Sequence, residues 1–178
     1  IIMFGLSGNG KSYISELLCE ELFAVRIRSD VERKRMFKSR DFHIQKNSND
    51  ILIQKLLNNS KHLELYSKIV TDHLFRDRIP DLAKNSLNGG ITTIIDAAFL
   101  KYKERRIMFS ISKTMKVPYI IIECKCSDSL AKTRIKDRLK KGLDPSEATL
   151  EIREKQKSYI EYLNAKEAKH VVVYDQKT

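Results

Sequence analysis

Residues 5–12 read Gly5-Leu6-Ser7-Gly8-Asn9-Gly10-Lys11-Ser12, which fits the pattern G-x-x-x-x-G-K-[ST] at every fixed position. The flanks suit it. Ile1-Ile2-Met3-Phe4 is a short apolar run of strand character. Tyr13 to Phe23 carries Ile14, Leu17, Leu18 and Leu22 at helical spacing, so a strand–loop–helix unit is predicted around the glycines. In such a unit the backbone amides of Gly8, Asn9 and Gly10 crowd at a helix N-terminus, where partial positive charge favours an anion. The expected ligand is the phosphate chain of ATP or a similar triphosphate. Gly5, Ser7, Gly8, Asn9, Gly10, Lys11, Ser12 and Tyr13 form its cradle, with Lys11 at the β- and γ-phosphates and the Ser12 hydroxyl on Mg²⁺.

Working outward, apolar runs alternate with helical patterns, as expected of a parallel sheet covered by helices. The predicted strands are Ile1–Phe4, Ala24–Ile27, Ile91–Ile95, Tyr119–Glu123 and Val171–Tyr174. Between them, Ser67 is expected to cap a helix reaching Leu87, kinked at Pro80 and stopped by Asn88-Gly89-Gly90. Lys103 to Met115 places Ile107, Ile111 and Met115 on one stripe. Ser127 can cap a helix to Lys141 that buries Ala131, Ile135 and Leu139, and Asp144-Pro145 is expected to open the last helix. The expected class is α/β: a P-loop NTPase with a nucleoside-kinase-like five-stranded parallel sheet flanked by helices, with a lid at 127–146. Residues 41–60, rich in asparagine, read as an excursion from the sheet, either a cap over substrate or an insertion.

The chain has 178 residues, enough for one domain burying about 70% of its unfolded surface. Its three cysteines make no disulfide framework and suggest a reducing, cytoplasmic setting. Cys124-Lys125-Cys126 sits on a strand with no second pair, so it reads as inert. The four histidines show no ligand spacing. No apolar run approaches the length of a membrane span. The absence of an initiator Met ahead of the first strand suggests an upstream segment, such as a fused domain. A net charge of +11 points to anionic partners, ATP first, with nucleic acid a second candidate.

Two acidic residues fall where ligands bind in open α/β sheets, at strand carboxyl ends. Asp96 closes the run Ile94-Ile95-Asp96, and Asp30 follows the second strand. Each can hold Mg²⁺, and Asp30 can also accept the proton of an attacking hydroxyl. Asp30 has a second open role, as a helix cap. Arg33 lies three residues on, facing the same way. Arg134 and Arg138 form an i, i+4 pair on the lid helix, either neutralising a transferring phosphoryl group or facing solvent.

Taken in order, the segments 5–12, 28–35 (RSDVERKR), 94–100 (IIDAAFL) with 104–106 (ERR), and 131–138 (AKTRIKDR) resemble the P-loop kinases grouped with zeta toxins and the kinase domain of phage-type polynucleotide kinase. Within that group the chain resembles a bacterial subgroup often fused behind an aminoglycoside-phosphotransferase-like domain. The resemblance runs to about Leu163. It implies that Lys11 and Ser12 handle phosphate and Mg²⁺, Asp30 is the base, Arg33 faces the acceptor and Arg138 is the lid arginine. Where the polynucleotide kinase pattern has an Arg before the catalytic Asp and a second Asp after it, this chain has Ser29 and Val31, with Arg28 one position upstream. The expected activity is transfer of the γ-phosphate of Mg-ATP to the hydroxyl of a small molecule or nucleotide. The alternatives are a 5′-hydroxyl polynucleotide kinase and a non-catalytic ATP-binding regulatory module.

Overall fold

In the computed structural model, residues 1–38, 68–142, 146 and 148–176 are described. Five strands, β1 (Ile2–Phe4), β2 (Val25–Arg28), β3 (Thr93–Asp96), β4 (Ile121–Cys126) and β5 (Val171–Gln176), form one sheet in the order β2-β3-β1-β4-β5. Every pairing is parallel: Ile2 sits opposite Ile95 and Ile121, Arg28 opposite Asp96, and Cys126 opposite Gln176. The central strand β1 is buried throughout, because helices cover both faces of the sheet. The expected α/β architecture with its five-stranded parallel sheet is the one found.

The helices among the described residues are α1 (Lys11–Glu21), α2 (Ser29–Lys38), α3 (Lys68–His73), α4 (Ile79–Asn88), α5 (Tyr102–Met115), α6 (Asp128–Lys141) and α7 (Leu150–Tyr159). One core face joins Phe4, Ile27, Leu74, Ile79, Phe99 and Ile121. The other gathers Met3, Ile14, Ile94, Ile122 and Cys124.

Several local expectations are corrected. On α1, Leu17 and Leu22 are exposed, while Ile14 and Leu18 pack inward. On α6, Ala131 and Ile135 are buried but Leu139 is exposed. β4 extends through Cys126 because β5 pairs with its full length. α2 begins at Ser29, which puts Asp30 inside the first turn rather than at the cap. The last helix starts at Leu150, capped by the Thr149 hydroxyl, which accepts from the Ile152 amide. Asp144-Pro145, Ser67 and the 41–60 excursion lie outside the described residues.

The break near Pro80 has a specific form. Between α3 and α4, Leu74–Arg78 is a π turn in which the Ile79 amide donates to the Leu74 carbonyl. Proline has no N–H and its ring crowds the preceding turn, so the extra residue relieves both problems without ending the helix.

Candidate active site

The loop between β1 and α1 needs glycine at three points. Gly8 and Gly10 have φ of 87° and 83°, a region that disfavours any Cβ. A Cβ on Gly8 would also stand 2.8 Å from the Ala131 carbonyl oxygen, and one on Gly5 2.7 Å from that of Cys124. Gly10 is the N-cap of α1, so the loop runs straight into the helix N-terminus.

The loop opens onto a cavity of about 490 Å³. Ser7, Gly8, Gly10, Lys11, Ser12 and Tyr13 line it, and so do Asp30, Arg33, Asp96, Arg134 and Arg138. Every residue proposed for chemistry is therefore at one site. Gly5 and Asn9 are not on its wall. Gly5 donates its amide to the Ala98 carbonyl (3.3 Å) and Asn9 donates its amide to that of Leu6 (3.2 Å). The Asn9 side chain donates to the Cys124 carbonyl at 2.8 Å. Both residues shape the loop from behind the cavity wall.

The Lys11 ammonium donates to the Leu6 carbonyl at 2.8 Å. Burial pulls its pKa below the usual lysine value, and the carboxylates of Asp96 and Asp30 push it back up, with Arg138 opposing them. These groups are within electrostatic reach of one another. Asp96 is nearly buried and its Oδ2 accepts from Arg26 at 3.0 Å, with the Arg28 Nε at 3.5 Å. The β2–β3 register explains this, since it sets Arg28 beside Asp96. Burial raises the Cys124 thiol to about 11, which agrees with an inert cysteine. Arg134 donates to the Gln176 Oε1, and Arg138 to the Ala148 carbonyl at 2.6 Å, while the buried Arg138 Nε has no hydrogen-bond partner among the described residues.

On the far wall, Arg33 on α2 is buried and donates to Thr71 Oγ1 at 3.0 Å. Arg78, at the end of the π turn, donates to Glu32 at 2.9 Å and so holds α2 against that turn. Phe75, from the π turn, meets Phe99 edge-on at 5.3 Å between ring centroids. Phe99 has a left-handed φ of 48° and is fully buried.

Two functional contributions were not foreseen from sequence, and both come from α7. The Ser7 amide donates to Gln156 Oε1 at 2.8 Å, and the buried Arg153 donates to the Ser7 carbonyl and, at 2.9 Å, to Asn9 Oδ1. Arg153 also reaches Asp128 at the start of α6, with Nη2 3.1 Å from Oδ1. The only sequence signal was their i, i+3 spacing, which marks a shared helix face but not what it meets. Among the described residues no cluster of three His, Cys, Asp or Glu side chains could hold a metal, and no helix is long and apolar enough to cross a membrane. His73 pairs with Asp77, and the His170 ring lies 4.3 Å from that of Tyr119.

The profile of the AAA domain family matches residues 1–163. No curated protein matches the chain. Among solved structures, a candidate kinase from Chloroflexus aurantiacus superposes with a TM-score of 0.66 at 20% identity, over 98% of this chain and 82% of that one. A sugar kinase from Janibacter sp. HTCC2649 gives 0.61 at 16%, over 98% and 83%. A gluconokinase from Sinorhizobium meliloti gives 0.56 at 14%, over 98% and 80%. At these identities the likeness is one of fold.

Proposed function

The chain belongs to the AAA domain family, and from that premise we propose that it is a kinase moving the γ-phosphate of ATP to a hydroxyl of a small molecule. The observation that carries this is the convergence of Lys11, Asp30, Asp96 and Arg138 on one cavity beside the glycine loop. A phosphate-binding loop alone supports only nucleotide binding. A carboxylate beside it supplies what transfer to an alcohol needs. That the structural neighbours include a sugar kinase and a gluconokinase supports a small acceptor, as does a cavity of small-ligand size.

In this reading Lys11 and the loop amides hold the β- and γ-phosphates. Asp30 takes the proton of the acceptor hydroxyl as its oxygen bonds to the γ-phosphorus, the bond to the β–γ bridging oxygen breaks, and ADP leaves. Arg138 and Arg134 face the charge on the transferring group. Mg²⁺ suits the residues present: it needs few protein ligands when phosphates and water complete its shell. Ser12 and one or both of Asp30 and Asp96 would hold it, and when bound it neutralises charge on the β- and γ-oxygens. Arg26 and Arg28 restrain Asp96 by engaging a single oxygen of its carboxylate.

The test is a screen of γ-labelled ATP against a metabolite extract, with variants beside the parent. Lys11→Ala is expected to abolish Mg-ATP binding by calorimetry. Asp30→Asn should keep nucleotide affinity within about threefold while transfer drops roughly 10²- to 10⁴-fold. Unchanged transfer in Asp30→Asn would remove that carboxylate from the reaction.

A further inference from the structure

The cavity is also lined by a carboxylate that the transfer chemistry leaves unused. Glu104, in the first turn of α5, lines the cavity yet is only 7% exposed. Its Oε2 accepts the Lys101 amide at 3.4 Å. Among the described residues no ion pair reaches Glu104 and no donor reaches its Oε1. Its neighbour Arg105 is committed elsewhere, to Glu167 and the Phe99 carbonyl. A carboxylate this buried is costly unless several donors face it.

The surroundings restrict what those donors can be. Tyr159 is within electrostatic reach of both Glu104 and Arg33, and Lys101 Nζ lies 5.4 Å from the centre of its ring. Lys101, Arg33, Phe75, Phe99 and Tyr159 share the same cavity. Cations on either side disfavour an ammonium group here, and the carboxylate disfavours an anionic one. What remains is a neutral hydroxyl, with Phe75, Phe99 and Tyr159 offering apolar surface to the carbon skeleton that carries it.

Building on the kinase reading, we propose that the acceptor is an uncharged small polyol, and that Glu104 holds a hydroxyl other than the one Asp30 activates. Glu104 is then a residue that selects the acceptor and orients it. The π turn contributes by carrying Phe75 to this cavity, and such turns often mark ligand sites.

The experiment uses the purified chain with Mg-ATP and reads ADP release. Its panel sets glycerol, ribose, glucose and myo-inositol against gluconate and glucuronate and against glucosamine. Turnover is expected with an uncharged member, at least tenfold above its acidic or amino counterpart. Glu104→Gln keeps an acceptor for the Lys101 amide, because the side-chain carbonyl can take the same place, and replaces only the charge. It should raise KM for that polyol about tenfold, with kcat and KM for ATP changed less than threefold. Preference for an acid or amine, a wild-type acceptor KM in Glu104→Gln, or ATP binding with no polyol turned over would each overturn the proposal. Failure to bind Mg-ATP at all, read by calorimetry, would strike the kinase reading itself.

Discussion

Glu104 makes a prediction about stability as well as specificity. Burial raises its pKa above the ordinary 4.5, against weaker opposing pulls from the Lys101 amide and nearby cations. The folded protein therefore binds a proton more tightly than the unfolded chain does, and stability falls as pH rises between the unfolded and folded pKa values. Below about pH 4 both states are protonated and the penalty is absent. Glu104→Gln should accordingly melt higher than the parent at pH 7, with the gap closing by about pH 4. Melting curves across that range check the sign, and a lower melting point at pH 7 would show the carboxylate to be stabilising. Sequence could place Glu104 in the first turn of a helix but could not reveal its burial, which depends on tertiary packing that brings residues such as Tyr159 near it.

At the scale of elements, α7 grips the nucleotide loop from behind. Arg153 donates to both the Ser7 carbonyl and the Asn9 side chain, and Gln156 accepts from the Ser7 amide. Replacing Arg153 with Met should leave helix and sheet intact but free the loop. A weakening of Mg-ATP binding by about tenfold, measured by calorimetry, is the expected outcome, since one charge-assisted contact contributes roughly 1.5–3 kcal/mol. The conservative variant Arg153→Lys should recover only part of it, because an ammonium lacks the fork that reaches Ser7, Asn9 and Asp128 together. The strand–loop–helix unit was readable because its glycines, lysine and serine are adjacent in sequence. The grip was not, because Arg153 and Ser7 meet only through tertiary packing. The same limit explains α1, where spacing alone put Leu17 inside although the sheet covers only the Ile14–Leu18 side.

For the whole molecule, the decisive buried pair is Arg105–Glu167. The Nε–Oε1 distance is 2.6 Å, both side chains are at most 2% exposed, and the guanidinium also donates to the Phe99 carbonyl and lies 5.2 Å from the Phe4 ring centre. The pair ties α5 to the segment leading into β5. Deleting one partner strands the other in the core, so Glu167→Gln should retain part of the stability while Glu167→Ala loses about 3–5 kcal/mol, read by urea unfolding. The order of elements and the parallel sheet were legible, since short continuous apolar runs alternate with stretches of 3.6-residue period. Glu167 was not, because it lies beyond the last motif that sequence reading could use.

β5 also has a bearing on the beginning of the chain. Gln176 closes that strand, and any side chain added to Gly10 would come within 2.8 Å of its amide nitrogen. The opening motif and this late residue are therefore not separable in engineering terms: a library that varies position 10 must vary position 176 with it, and coupling between them should be sought as a pairwise effect before either is judged alone.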